Sequence, residues 1–241
     1  MRAYRRELKF LVHHSVRSML LERWRRFLVR APFTNVHAVG PVLSLYYDSP
    51  ELAFYREKQD GIRSRDKVRL RTYGRAFAAG QTTILEIKHR SGDGIRKLRY
   101  PLPDFEPDQL DPARWRLDDP AMAAAFLALR ERYRLRPSAQ VYYQREAYQG
   151  VVESDLRVTF DSALVGLHPG ERLTRELCLD RSRALLPDTV QILEVKSTVG
   201  IPGWVFEGVV AGELRQQTLP KYVSAVEALG LVELRAAGVY A

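Results

Sequence analysis

Alternation of apolar and charged residues at period two is the strongest regularity in this chain. In VRLRTY, Arg69 and Arg71 share one face against Val68 and Leu70; in ILEIK, Glu86 and Lys88 share one face against Leu85 and Ile87. An ordinary strand of this kind turns its charges to water, but recurrence argues otherwise. Glu-x-Lys appears three times, as Glu7/Lys9, Glu86/Lys88 and Glu194/Lys196, each time flanked by large apolar residues that need a core on the opposite face. Three strands thus carry one chemistry. If they belong to one closed sheet with the charged face inward, cations and a few carboxylates line a cavity that calls for a polyanion and a metal ion.

The remaining pattern fills in the elements. Strands are expected over residues 7–12, 42–47, 95–102, 140–148, 156–161 and 189–196, besides the Arg69/Arg71 and Glu86/Lys88 strands. Helices are expected over residues 15–28, with Val16, Met19, Leu20, Trp24 and Phe27 on one side, over 121–133, 204–215 and 220–229, and as a short patch over 51–57. Residues 103–120, rich in Pro and Asp, read as an irregular connection. The fold class is α+β: one domain, residues 1–241, built on a closed antiparallel β-barrel of about eight strands with flanking helices.

Charge narrows the function. The chain carries a net charge of +9, which favours a polyanionic partner. Its one cysteine, Cys178, excludes an internal disulfide and any Cys-based zinc site, and fits a reducing cytoplasm. No apolar run reaches signal-peptide length near the start or the roughly 18 residues of a membrane span, so a soluble chain is expected. Neither a helix-turn-helix nor an RNA-binding signature accompanies the charge, and nucleic acid is not expected as a partner.

The alternating positions supply Lys9, Arg69, Arg71, Lys88, Arg145, Arg157 and Lys196, with Lys97 and Arg99 as additions. Guanidinium groups bind phosphate oxygens bidentately and lysines act as compact charges, which suits a chain of phosphates. Glu194 and Glu86 supply hard oxygens for Mg²⁺ or Mn²⁺. Together they describe phosphoryl transfer by positioning and charge neutralisation, with no covalent nucleophile from the protein. Tyr46, Tyr47 and Tyr73 are candidates to stack on a base, though core packing suits each better, and His89 is expected to point away from the charged face.

The ordered set RRELKFLV, SLYYDSPELAFYREKQDGIRSRDKVRLRTYG, LEIKHR, YYQREAY, RVTFD, ILEVK and LPKYVSAV resembles the VTC (vacuolar transporter chaperone) domain, a branch of the triphosphate tunnel metalloenzymes. The resemblance implies an eight-stranded antiparallel tunnel and a polyphosphate polymerase that moves the γ-phosphoryl group of ATP onto a growing polyphosphate chain, releasing ADP. It implies that Lys9, Arg69, Arg71, Lys88 and Arg157 hold the phosphates, that Lys196 and Lys221 add to the lining, and that Glu194, then Glu86, binds the metal. Two residues depart from the pattern. Arg5 stands where hydrolytic relatives carry the first Glu of E-x-E-x-K, which favours a phosphate acceptor over water, and Ser224 stands three positions after the Lys of LPKY, where family members often present a second basic or small polar residue. A triphosphatase or polyphosphatase of the same fold, or a non-catalytic polyphosphate-binding module, is the alternative. A membrane-protein partner is compatible with all three.

Overall fold

Strands whose apolar residues recur every second position pair so that their apolar faces coincide, and the observed registers follow that rule. The computed structural model describes residues 6–31, 39–92, 94–102, 105–106 and 110–236. The strands are β1 (Arg6–His13), β2 (Leu28–Arg30), β3 (Val39–Asp48), β4 (Ser64–Thr72), β5 (Thr83–Ser91), β6 (Gly94–Leu102), β7 (Arg136–Gly150), β8 (Arg157–Leu167) and β9 (Val190–Ser197). The helices are α1 (His14–Trp24), α2 (Ala53–Gln59), α3 (Pro120–Tyr133), α4 (Arg175–Leu179), α5 (Gly203–Ala211), α6 (Lys221–Ala228) and α7 (Leu231–Ala236).

The strands form one large sheet in the order β1-β9-β8-β7-β3-β4-β5-β6, with β2 added on β7. The α+β class and the antiparallel sheet agree with expectation. Closure does not appear: the order ends at β1 and at β6, so strand pairing does not close the sheet among the described residues. The strand beyond the expected eight is β2. Residues 15–28 read as one helix, but α1 stops at Trp24, where the Phe27 N–H donates to the Trp24 carbonyl. Leu28, Val29 and Arg30 then pair with Gly150, Gln149 and Tyr148. A strand partner and a buried Leu28 outweigh helix periodicity there. The helix expected over 204–215 likewise ends at Ala211, followed by Glu213 at positive φ.

By contacts the chain divides into two compact units, neither continuous in sequence. One comprises residues 1–41, 143–164 and 186–220; the other comprises 42–142, 165–185 and 221–241. The first unit has a core of Phe10, Val12, Leu20, Trp24, Phe160, Val195 and Val205, formed by the apolar faces of β1, β8 and β9 under α1 and α5. In the second, Leu45, Tyr47, Val68, Leu70, Leu85 and Ile87 from β3, β4 and β5 pack with Phe126 of α3 and Phe54 of α2. Both cores leave the opposite faces of their strands to charge.

Asp48 anchors the second unit locally. The Asp48-Ser49-Pro50 turn closes β3, and the Asp48 carboxylate accepts from the backbone N–H of Ser49 (2.7 Å), Phe54 (2.8 Å) and Tyr55 (3.1 Å) and from the Tyr222 hydroxyl (2.6 Å). Burial raises its pKa, against the lowering effect of these donors.

In the first unit Gly208 of α5 lies against the indole of Trp24, whose Nε1 donates to the Trp204 carbonyl at 3.1 Å. A Cβ at Gly208 would stand 2.5 Å from that ring. Gly208→Ala is therefore expected to lower stability by about 1–3 kcal/mol by overpacking, despite a helix-propensity gain of about 1 kcal/mol. Chemical denaturation checks the sign: a more stable variant would mean that the indole yields freely.

Candidate active site

The charged faces gather into two clusters, one in each unit, and each is built around a buried glutamate. In the second unit the register sets Arg69 of β4 and Arg99 of β6 on either side of Glu86 of β5. The next row aligns Lys67, Lys88 and Lys97. Glu86 is only 1% exposed. Its Oε2 accepts from Arg69 Nε at 2.7 Å and lies 2.6 Å from Arg69 Nη2 and 3.6 Å from Arg71 Nη1. Its Oε1 lies 2.7 Å from Lys97 Nζ and 3.0 Å from Arg99 Nε. The side chains of Lys97 and Arg99 are far more exposed than the carboxylate they contact, so the cluster has an anionic floor and a cationic rim.

Electrostatics follow the geometry. Burial opposes ionisation of Glu86, but Arg69, Arg71 and Lys97 overcome it and hold the carboxyl well below the usual range. Lys97 shows the reverse. Burial, with repulsion from Arg69 and Arg71, outweighs attraction to Glu86 and lowers its pKa to about 8. Tyr46, opposite Arg69 in register, accepts from Arg69 Nη1 at 3.1 Å and stacks on Tyr222 with centroids 5.0 Å apart. Burial raises its hydroxyl pKa, yet Arg69, Arg71 and Lys221 bring it down overall.

In the first unit the row Lys9–Glu194–Thr159 crosses β1, β9 and β8, next to the row Glu7–Lys196–Arg157. Lys9 Nζ lies 3.2 Å from Glu194 and 3.0 Å from Glu7. Lys196 pairs closely with Glu194 and sits 3.8 Å from Glu7. Burial lowers the Lys196 pKa although both carboxylates oppose it. Arg145 of β7 donates twice to the fully buried Asp161, 2.6 Å for each bond, and its Nη2 stands 3.8 Å from Glu194. Despite burial, Asp161 holds the guanidinium firmly charged. Arg157 is exposed.

The structure thus brings Arg69, Arg71, Lys97, Arg99 and Glu86 together in one unit and Lys9, Lys196, Arg145 and Glu194 in the other. Lys88 lies in the cationic row of the second unit, and Lys221 opens α6. Arg5 lies outside the described residues; Ser224 lies within α6. Tyr46 and Tyr47 are core residues, whereas Tyr73 accepts a 3.4 Å bond from Arg99. His89 points off the charged face and pairs with Asp66 at 2.8 Å. Asp161 and Lys67 have roles that the sequence reading left unassigned. Lys67 shares the parity of Arg69 and Arg71 and was open to the same argument. Nothing in the sequence pairs Asp161 with Arg145, because the contact joins neighbouring strands 16 residues apart.

Among the described residues no group of three or more His, Cys, Asp or Glu forms a metal site by itself. The first unit nonetheless suits a divalent ion. Glu7 and Glu194 present hard oxygens that share two compact ammonium groups, a charge balance that a divalent ion can enter. Glu86 differs in its company: four cations stand around it and no second carboxylate shares them on the in-register face of β4, β5 and β6.

The VTC domain family profile matches residues 4–230, and the chain belongs to that family. It is 23% identical over 200 residues to vacuolar transporter chaperone complex subunit 4 of Trypanosoma brucei brucei; the match covers 66% of this chain and a quarter of that protein's length. Its fold is similar to that of a Bacillus halodurans protein described as a candidate adenylate cyclase, with TM-score 0.50 at 10% identity over 90% of this chain and 95% of that one. A Pyrococcus horikoshii protein, PH1819, aligns with TM-score 0.41 at 14% identity over 92% and 98% of the two chains. No helix among the described residues is long and apolar enough to cross a membrane.

Lys97 gives the second-unit cluster a pH dependence. It is protonated below about pH 8 and loses its charge above, so anion binding is expected to weaken as pH rises through that value. Titration with sulfate, whose own charge does not change there, should show this step in the parent chain and lose it in Lys97→Met. A step of equal size in both would assign the titration elsewhere.

Proposed function

We propose that this chain is a polyphosphate polymerase of the tunnel type, which transfers the γ-phosphoryl group of ATP to the end of a polyphosphate chain and releases ADP. The observation that carries the reading is the pair of clusters: arginines and lysines at alternate strand positions, each group organised by a buried glutamate, within a VTC-family chain. Closure of the sheet around the substrate, with residues 1–241 acting as one domain, is part of the proposal. So are a cytoplasmic setting, suggested by the lone Cys178, and delivery of product to a membrane-protein partner.

In this reading Arg69, Arg71, Lys88, Lys97 and Arg99 bind phosphate oxygens, with Lys221 and Arg157 extending the lining. Arg145, held in place by Asp161, directs its remaining N–H edge toward the Glu194 cluster. Lys9 and Lys196 neutralise charge beside Glu194. A Mn²⁺ or Mg²⁺ ion would be held by Glu194 and would supply charge neutralisation to the phosphate groups. A terminal oxygen of the acceptor forms the new bond to the γ-phosphorus, the bond to the β,γ-bridging oxygen breaks, and that oxygen leaves with the electron pair on ADP. No protein base is required, because the acceptor oxygen is already ionised near neutral pH. Catalysis is alignment and charge stabilisation.

Glu7, beside Lys9 and Lys196, favours hydrolysis as a second reading, since it is a carboxylate near the reacting phosphates. One assay separates the two. Purified protein with ATP and Mn²⁺ or Mg²⁺, with and without a short primer, is expected to yield long polyphosphate and ADP. Arg69→Ala and Glu194→Ala should each lower the rate by about 100-fold or more, in line with loss of a transition-state charge contact. Free phosphate without polymer would establish the hydrolase instead, and binding without turnover a polyphosphate-binding module.

A further inference from the structure

Within the in-register face of β4, β5 and β6, Glu86 is the one carboxylate. The other positions of that face hold Arg65, Lys67, Arg69, Arg71, Lys88, Arg90, Lys97 and Arg99, besides Ile84, Ile95 and Pro101. Four of these cations converge on Glu86 within 3.6 Å, two on each oxygen. Cationic groups standing close around oxygens from several sides are also what a bound phosphate would meet. A divalent ion in the same place would add two positive charges to four and would have to displace the cations that neutralise the carboxylate.

We infer that Glu86 is a resident counter-anion rather than a metal ligand: it holds Arg69, Arg71, Lys97 and Arg99 at phosphate-binding spacing and competes with phosphate groups for them. The inference rests on the phosphate-binding part of the function proposed above. A buried carboxylate keeps the four cations from repelling one another in the empty cluster, and it limits how tightly the cluster grips a polyanion. A site that must release and re-bind a lengthening chain at every step gains from such a limit, since maximal ground-state binding does not speed the chemical step. The two glutamates thereby divide their tasks: Glu194 toward the metal, Glu86 toward the cations.

The experiment compares the parent chain, Glu86→Gln and Glu194→Gln, all metal-free, by calorimetric titration with tripolyphosphate and, separately, by Mn²⁺ titration followed by EPR of the free ion. Glu86→Gln is expected to bind tripolyphosphate about tenfold more tightly or better, with Mn²⁺ affinity unchanged, while Glu194→Gln loses Mn²⁺ binding. Removing the counter-charge lowers the stability of the empty protein, so Tm provides a second readout. Glu86→Gln should melt lower than the parent without ligand and gain more Tm from tripolyphosphate. Equal or weaker tripolyphosphate binding, an equal or smaller Tm gain, or loss of Mn²⁺ binding in Glu86→Gln would overturn the inference. Polymer formation is scored separately: a parent chain that binds tripolyphosphate but elongates nothing removes the polymerase reading, while the binding comparison still decides the role of Glu86.

Discussion

Like charges do not gather inside a protein without an opposite charge to hold them. At an effective dielectric of about 20, two unit charges 4 Å apart interact by about 4 kcal/mol, so a bare set of four cations would cost more than most domains have in total stability. Glu86 removes that difficulty by offering two oxygens to Arg69, Arg71, Lys97 and Arg99. In the other unit the same problem is met with more acid: Glu7, Glu194 and Asp161 offset Lys9, Lys196 and Arg145. One cluster remains strongly cationic and the other is nearly balanced, and the proposed division between polyanion and metal rests on this asymmetry.

The charged faces exist because the opposite faces are apolar. Val68, Leu70, Leu85 and Ile87 are buried on one side of β4 and β5, and strand geometry then sends Arg69, Arg71, Glu86 and Lys88 to the other. The hydrophobic effect thus drives the strands together and, through the pleat, determines where the cations stand. Helices contribute by covering the apolar side: α1 and α5 in one unit, α2 and α3 in the other. Asp48, by accepting from the start of α2 and from Tyr222 of α6, ties those two helices to the end of β3.

Period-two patterning made the strands legible in the sequence, and with them the parity of Lys9, Arg69, Arg71, Glu86, Lys97, Arg99 and Glu194. What it could not supply was partnership. That Lys97 and Arg99 share an oxygen of Glu86 depends on the β5–β6 register, and the Arg145–Asp161 pair depends on two strands whose contact no local pattern reveals. Helix ends were misplaced for a related reason. The 15–28 stretch has helical periodicity throughout, but a tertiary partner, the end of β7, recruits Leu28–Arg30 into a strand. The VTC resemblance covered both clusters and supplied a chemistry that the alternation alone could not name.

The β4–β5–β6 register also bears on how this sequence can vary. Inserting or deleting a single residue in the middle of β5 would carry Ile87 or Leu85 into the place of Glu86 and turn the carboxylate toward Leu45, Val68 and Phe126. One reading-frame-preserving codon change in length would therefore damage the core and empty the charge cluster together, whereas a substitution damages one or the other. Length variation should be confined to connections between the strands and helices, where side-chain parity carries no meaning.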